Sequence, residues 1–232
     1  MQRLVWSVRS ALYVLWLLVT VVPWALMVLA VSIFQRGQPL YWLVVGWLRL
    51  TMLGSRYICG IRARVQGMHH VPTAAQGTAA VILAAKHQST WETFALPTLM
   101  PHPLAYVFKR ELLLIPFFGW AMGRLDMIHI DRSKRAEAWA RVAAQGRRLM
   151  SEGVWVIMFP EGTRSESGEL QPFKKGAFVL AIETGADIVP TAVLGSRAVM
   201  RKHSLLIHPG TITIRFSSDE ELERVIVKVV GS

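Results

Sequence analysis

The sequence predicts an α/β fold, in which a layered, mostly parallel sheet is flanked by helices and preceded by an N-terminal two-helix hairpin embedded in a membrane. Two observations predict this architecture. Long apolar segments with few charges fill the beginning of the chain, as in membrane helices. From about Gly60 onward, short runs rich in β-branched and aromatic residues alternate with helical patterns, as in parallel sheets whose strands are connected by helices. We therefore expect a membrane-anchoring hairpin over residues 1–59 and an α/β domain over residues 60–232.

The composition favours a membrane surface as a partner of this chain. Of its 232 residues, 53% are hydrophobic, and the formal net charge is +11. Apolar segments bury in hydrocarbon, and each Lys or Arg near an anionic leaflet gains about 1 kcal/mol, so a membrane explains both properties. Nucleic acid would explain only the charge, and we expect none as a partner. The single cysteine, Cys59, has no second cysteine for a disulfide or a metal site and is expected to pack in the interior.

The first predicted helix lies between Arg9 and Arg36, which enclose 26 residues without a charge. As a helix this stretch rises about 39 Å, which exceeds the hydrocarbon thickness of about 30 Å. Pro23 lies near its middle and is expected to kink the helix. A second apolar run, from Leu40 to Leu53, follows the polar link QRGQP. The pattern therefore predicts two helices folded as a hairpin.

The way in which this hairpin meets the membrane is left open by the sequence. Arginines flank both ends, so their distribution does not decide between spanning the bilayer and lying in one leaflet. A cleaved signal peptide ending near LAVS is disfavoured, because the apolar stretch exceeds the usual length of about 7–15 residues. Trp24, Trp42 and Trp47 are interpreted as anchors at the membrane interface or facing lipid.

The α/β domain is predicted from alternating strand and helix patterns. Six segments rich in β-branched and aromatic residues are predicted strands: TAAVILAA, LAYVF, LDMIHI, GVWVIMF, DIVPTAV and TITIRF. Four segments are predicted helices: WETFALPTLM, SKRAEAWARVAAQGRRLMSEG, KKGAFVLAIETG and DEELERVIVKVV. In such folds, ligands bind at the carboxyl ends of the strands, so the residues that follow each strand are the candidates for chemistry.

The octapeptide KHQSTWET, residues 86–93, directly follows the apolar run AAVILAA. His87 is expected in the loop and Glu92 in the first turn of the next helix, at a spacing that can bring the two side chains together. A carboxylate that holds one imidazole nitrogen fixes the tautomer and leaves the other nitrogen free to accept a proton from a hydroxyl group. The alternative is that His87 only caps the helix. The octapeptide by itself does not decide between them.

Cationic residues follow three other predicted strands and are expected at the same edge of the sheet. In FPEGTRS, Gly162 permits a tight turn, Thr163 offers a hydroxyl group, and Arg164 presents a planar fork suited to a phosphate. Lys109 follows YVF, and Arg132 follows LDMIHI. The four strand ends together predict one base and several cations in a single cleft.

At these residues the sequence resembles the glycerolipid acyltransferase family, and within it the bacterial 1-acyl-sn-glycerol-3-phosphate acyltransferases. The resemblance covers most of the chain, from the apolar N-terminus through VPTAV. Its blocks look like HQSTWE, MIHIDR, FPEGTRS with the extension G.L.PFKKGAF, and IVPTAV, in that order. The chain departs from the family pattern at Glu92, where an aspartate is usual, and at Lys86, where an asparagine is frequent.

The resemblance implies an enzyme that moves a fatty acyl group from a thioester to the sn-2 hydroxyl group of lysophosphatidic acid, which makes phosphatidic acid. It implies His87 as the general base and Glu92 as the residue that orients it. The residues implied to hold the acceptor phosphate and glycerol are Lys109, Arg132, Glu161, Gly162, Thr163 and Arg164.

The resemblance also implies the partners and the location. No cofactor or metal ion is expected, since acyl-CoA or acyl carrier protein is the donor substrate. The expected partners are this donor, lysophosphatidic acid and membrane lipids. The implied location is the bacterial cytoplasmic membrane with the α/β domain on the cytoplasmic face, where both thioester donors occur. Two alternatives stay open: another lysolipid acceptor, such as a lyso-ornithine lipid, and a non-catalytic membrane-binding homologue.

Overall fold

A computed structural model describes residues 2–73, 80–130, 135–164, 172–201 and 204–217. Within these ranges, the side chains of residues 109, 130 and 135–138 lie outside the description. The described helices are α1 (Gln2–Val31), α2 (Gln38–Tyr57), α3 (Trp91–Leu99), α4 (Phe118–Met122), α5 (Arg135–Ser151), α6 (Gly176–Thr184) and α7 (Ser196–Val199). The described strands are β1 (Ile61–Gln66), β2 (Val81–Ala85), β3 (Leu104–Lys109), β4 (Ile128–Ile130), β5 (Trp155–Met158), β6 (Asp187–Leu194) and β7 (Gly210–Phe216).

Helices α1 and α2 pack side by side in opposite directions. The Trp24 indole donates a hydrogen bond to the carbonyl of Leu43 (2.9 Å), and the Trp47 indole donates one to the Thr20 hydroxyl group (3.2 Å). Residues early in α1 therefore meet residues late in α2. Helix α1 continues through Pro23 and is long and apolar enough to cross a membrane, as judged by length and composition.

Close approach of the two helices depends on Gly54 of α2. A Cβ atom at this position would lie 2.6 Å from the Trp16 indole ring of α1. We therefore expect Gly54→Ala to destabilise the fold by about 1–3 kcal/mol, because the indole or the helix must shift. Arg49→Ala, at an exposed position of the same helix, is the matched control and should change stability by less than about 0.5 kcal/mol. Thermal unfolding of both variants measures this, and equal melting temperatures would contradict the packing.

The described strands form one sheet in the order β1-β7-β6-β2-β5-β3-β4. Every neighbouring pair is parallel except β6 and β7, which run antiparallel. The five strands from β6 to β4 consequently point the same way. The loops that follow them share one edge of the sheet, which we call the carboxyl edge.

Helices cover both faces of the sheet. On one face, Leu83 and Ile157 of the sheet belong to the same buried cluster as Tyr41 and Val45 of α2 and Tyr13 of α1. On the other face, sheet residues cluster with α5 and α6; this cluster includes Ile82, Val156, Val142, Leu149 and Leu180. Each large apolar side chain that is fully buried in this way contributes about 1.5–3 kcal/mol to the stability of the fold. The hairpin and the sheet thus share a core, and the division of the chain at residue 59 stays a prediction.

The predicted α/β fold class is confirmed, and each of the six predicted strand segments overlaps an observed strand. The embedding of the two-helix hairpin in a membrane stays a prediction. Strand β1 was not predicted. It lies at the sheet border with only Ile61 buried, so its exposed arginines hide the apolar pattern of a strand. The interpretation of Trp47 as a membrane anchor is wrong, because its side chain is buried against Phe94 and Phe118. The predicted helix DEELERVIVKVV lies outside the described residues.

The outer face of α1 exposes large apolar side chains. Leu4, Leu18 and Val19 are each more than half exposed. Unpartnered apolar surface of this kind is typical of a face that meets lipid or another apolar surface.

Candidate active site

The candidate site is assembled at the carboxyl edge from the loops that follow β2 and β5. These two strands are neighbours and parallel, so His87 and the FPEGT loop emerge next to each other. The backbone amide of His87 donates a hydrogen bond to the Glu161 carboxylate (3.2 Å). Glu161 is buried and therefore ties the two loops together.

The side chains of His87 and Glu92 meet as the sequence predicted. His87 Nδ1 lies 3.2 Å from Glu92 Oε1. An ionised carboxylate can only accept hydrogen bonds, so a neutral imidazole in this contact has its hydrogen on Nδ1 and leaves Nε2 as the acceptor. The His87 side chain is 19% exposed, whereas that of Glu92 is fully buried. The free nitrogen therefore belongs to a ring that solvent and substrate can reach.

Glu92 is held by the start of α3. Its Oε1 atom accepts hydrogen bonds from the backbone amides of Gln88 and Ser89, both at 2.6 Å. Its Oε2 atom accepts one from the Ser89 hydroxyl group, which in turn accepts one from the Trp91 amide. Ser89 and Glu92 thus satisfy free amides at the helix start, in the manner of a capping box. The helix is capped by these two residues and not by the His87 ring.

The His87 ring lies on an aromatic platform. It stacks on Phe159 with ring centroids 4.0 Å apart and an interplanar angle of 21°. Phe159 follows β5 and lies 6.3 Å from the ring of Tyr106. The Tyr106 hydroxyl group donates to the Thr93 carbonyl (2.8 Å), and burial raises its pKa well above the ordinary value. Tyr106 therefore stays neutral under the platform, and stacking restricts rotation of the imidazole.

The Gly162 turn brings Arg164 back over the start of α3. Gly162 has φ of +70°, and a Cβ atom there would meet the Lys174 side chain at 2.5 Å. Only glycine adopts this conformation without strain. Arg164 Nη1 then donates a hydrogen bond to the Thr90 hydroxyl group (3.2 Å). Thr90 lies three residues after His87, so the guanidinium is held next to the loop that carries the imidazole.

The other predicted site residues are placed less completely. Thr163 is exposed next to Arg164. The backbone of Lys109 ends β3 opposite Ile130 at the carboxyl edge, but its side chain lies outside the description. Arg132 lies outside the described residues. The structure therefore brings together His87, Glu92, the loop from 161 to 164 and the carboxyl edge of β3.

Three residues of the site were missed by sequence reasoning. Ser89 is buried against the Glu92 carboxylate, Thr90 accepts from Arg164, and Phe159 supports the imidazole. The spacing of Ser89 and Glu92 matches the capping-box pattern and could have revealed the first. No local sequence signal reveals the other two, because both contacts join segments about 70 residues apart.

The geometry also bears on a cysteine nucleophile and on a metal site. Burial raises the pKa of the Cys59 thiol to about 11, despite the nearby Arg9 charge. The reactive thiolate is therefore scarce near neutral pH, and Cys59 is a poor nucleophile. Among the residues described, no group of three His, Cys, Asp or Glu side chains is arranged to hold a metal ion.

Comparison with known proteins shows the family of this chain. The family model described as Acyltransferase matches residues 62–194, which include both loops of the site. The chain therefore belongs to the acyltransferase family.

Its relatives within the family have more specific names. The chain is 35% identical to the 1-acyl-sn-glycerol-3-phosphate acyltransferase of Pseudomonas aeruginosa, over 90% of this chain and 79% of the relative. It is also 35% identical to the human 1-acyl-sn-glycerol-3-phosphate acyltransferase alpha, over 62% of this chain and 49% of that protein. The crystal structure of the 1-acyl-sn-glycerophosphate acyltransferase PlsC from Thermotoga maritima matches 100% of this chain and 96% of its own with a TM-score of 0.77 at 21% identity. This last similarity shows the shared fold.

Proposed function

We propose that this acyltransferase transfers a fatty acyl group from a thioester to the sn-2 hydroxyl group of 1-acyl-sn-glycerol-3-phosphate. The observation that carries the proposal is the contact of 3.2 Å between His87 Nδ1 and Glu92 Oε1, with Nε2 left as an accessible proton acceptor. The names of the relatives support the acceptor. Arg164 and the FPEGT loop that precedes it support a phosphate-bearing substrate beside the base.

In the proposed reaction, His87 Nε2 takes the proton of the acceptor hydroxyl group as its oxygen attacks the thioester carbonyl carbon. A carbon–oxygen bond forms, and the carbon–sulfur bond breaks. The proton then passes from the imidazolium to the leaving thiolate, so the enzyme returns to its first state. Glu92 is proposed to hold the tautomer and to stabilise the imidazolium, which exists only during the reaction. A covalent acyl-enzyme is not needed for these steps.

Arg164 is proposed to bind the acceptor phosphate, because a guanidinium can donate two parallel hydrogen bonds to phosphate oxygens. Lys109 and Arg132 are proposed to assist it from the ends of the neighbouring strands. Glu161, Gly162 and Thr163 are proposed to shape the pocket, Glu161 through its bond to the His87 amide. The phosphate would thereby fix the sn-2 hydroxyl group next to Nε2.

The exposed apolar face of α1 supports the proposal that the chain works at a membrane, where lysophosphatidic acid and its product reside. We infer the bacterial cytoplasmic membrane and its cytoplasmic face, since acyl-CoA and acyl carrier protein both occur there. The boundary between a hairpin over residues 1–59 and a catalytic domain over residues 60–232 is part of the same proposal.

A panel of acceptors tests this function. Purified protein is assayed with lysophosphatidic acid, monoacylglycerol, lysophosphatidylcholine and a lyso-ornithine lipid, using both acyl-CoA and acyl carrier protein as donors. We expect lysophosphatidic acid to give the highest kcat/KM. We also expect Arg164→Ala to reduce the ratio of kcat/KM for lysophosphatidic acid to kcat/KM for monoacylglycerol about 10- to 100-fold. This is the contribution expected from one charge-assisted hydrogen bond to a phosphate.

Arg164→Lys and Thr90→Val are the controls for this panel. The lysine keeps the charge without the planar fork, and we expect it to recover part of the preference for phosphate. The valine removes only the group that accepts from Arg164 Nη1, so its effect should be smaller than that of Arg164→Ala. A higher kcat/KM with the lyso-ornithine lipid would replace the proposed acceptor, and transfer to none of the acceptors would exclude the function.

A further inference from the structure

We propose that a basic pocket at the same sheet edge as the candidate active site binds the phosphate at the end of the pantetheine arm of the acyl donor. This inference depends on the proposed function, because it assigns the donor side of the same reaction. The pocket has a volume of about 460 Å³ and is lined by Arg56, Tyr57, Gly60, Arg62 and Pro209. It lies where the last turn of α2 meets the beginning of β1.

Among the described residues, the pocket concentrates positive charge without a matching carboxylate. Arg56 and Arg62 line it, and the Arg9 guanidinium lies against Gly60, 3.0 Å from where a Cβ atom would be. Within the described part of the chain, none of these three arginines forms an ion pair. Guanidinium groups that line one pocket attract a phosphate, whose oxygens match their planar geometry. The chemistry therefore favours a phosphate ligand.

The position of the pocket relates it to His87. Strand β1 is three strands away from β2 in the sheet, which corresponds to about 14 Å. The strand registers place Arg62 about three residues, or about 10 Å, beyond His87 along the strand direction. The separation of the two positions is consequently about 17 Å. Both lie at the carboxyl edge.

This separation suits the length of a thioester donor. In acyl-CoA and in acyl carrier protein, a pantetheine arm of about 13 bonds joins the thioester sulfur to a phosphate. Three backbone bonds span about 3.3–3.6 Å when extended, so such an arm reaches about 15 Å. A thioester carbonyl within a few ångströms of His87 would therefore place the phosphate at the arginine pocket.

A direct contact connects the pocket with the site. The Trp91 indole donates a hydrogen bond to the Ser55 hydroxyl group (3.4 Å). Ser55 precedes Arg56 of the pocket, and Trp91 precedes Glu92 of the candidate dyad. This buried contact thus holds the last turn of α2, which carries Arg56, against the first turn of α3, which carries Glu92.

The test compares a donor that has the phosphate with one that lacks it. Wild type, Arg56→Ala, Arg62→Ala and the control Arg64→Ala are assayed with acyl-pantetheine and with whichever of acyl-CoA and acyl carrier protein the wild type accepts. Arg64 is exposed on the same strand and does not line the pocket. The measured quantity is the ratio of kcat/KM for the phosphorylated donor to that for acyl-pantetheine.

We expect this ratio to fall about ten-fold in Arg56→Ala and Arg62→Ala and to be unchanged in Arg64→Ala. If Arg56→Ala and Arg62→Ala lower kcat/KM equally for the phosphorylated donor and for acyl-pantetheine, the proposal is overturned. A loss that appears only in vesicles with anionic lipid, and not in neutral ones, would overturn it too, because it would assign the pocket to a lipid headgroup. If the wild-type protein transfers an acyl group from none of these donors, the result would instead refute the proposed function.

Discussion

Replacing His87 with alanine is expected to lower kcat for acyl transfer about a thousand-fold, within the range of about 10²–10⁴ that a positioned general base contributes. The ring contacts Glu92 through Nδ1 and stacks on Phe159. Alanine removes the proton acceptor but leaves the buried carboxylate with its bonds from Gln88 and Ser89. The loss should therefore fall mainly on kcat, with a smaller effect on folding.

His102 provides the matched control for this substitution. Its ring also stacks on an aromatic residue of the β5 region, Trp155, with centroids 4.6 Å apart. Trp155 begins β5 and Phe159 follows its end, so the two histidines lie at opposite edges of the sheet. We expect His102→Ala to reduce thermal stability while kcat stays near that of wild type. The comparison separates the loss of a stacked ring from the loss of a base.

Two measurements decide the His87 assignment. The first is kcat at saturating donor and acceptor, together with thermal unfolding of both variants. The second is complementation of a bacterial strain that lacks the acyltransferase, with wild type and with His87→Ala. A folded His87→Ala protein with more than a tenth of the wild-type kcat, or rescue by both versions, would refute a catalytic role.

The parallel sheet could be predicted because its strands are buried on both faces. Val81 to Leu83, for example, are completely buried, so the strand is a continuous apolar run that stands out in the sequence. Strand β1 lacks this signal, since it borders the sheet and exposes most of its side chains. The order of strands was not predictable, because the contact of β1 with β7 joins residues about 150 positions apart.

The candidate site was predictable where its contacts are local. His87 and Glu92 are five residues apart, and the strand–loop–helix pattern brings them together. The position of Arg164 followed from the parallel sheet, since loops after neighbouring strands share an edge. The stacking of His87 on Phe159 depends on the register of β2 and β5, which composition does not encode. Trp47 was misassigned for a similar reason: an indole suits both an interface and a packed helix pair.

Substitution of Glu92 separates the charge of the carboxylate from its shape. Glutamine is nearly isosteric, and its oxygen can still accept from the His87 ring and the Ser89 amide. It carries no negative charge, however, and cannot stabilise the imidazolium that forms as the proton moves. We expect Glu92→Gln to lower kcat at least about a hundred-fold. Glu92→Asp keeps the charge on a side chain one methylene shorter, and we expect it to retain much of the activity.

Ser89→Ala controls for the capping role of the same carboxylate. It removes the hydroxyl group that bonds Glu92 Oε2 and the Trp91 amide, and losing such a cap costs about 0.5–2 kcal/mol. The contact between His87 and Glu92 does not involve this hydroxyl group, so the melting temperature should fall while kcat falls much less than in Glu92→Gln. Equal kcat in the glutamine and aspartate variants would mean that the charge of Glu92 has no part in catalysis. The carboxylate would then serve only to start α3, and the base at position 87 would act without an orienting partner.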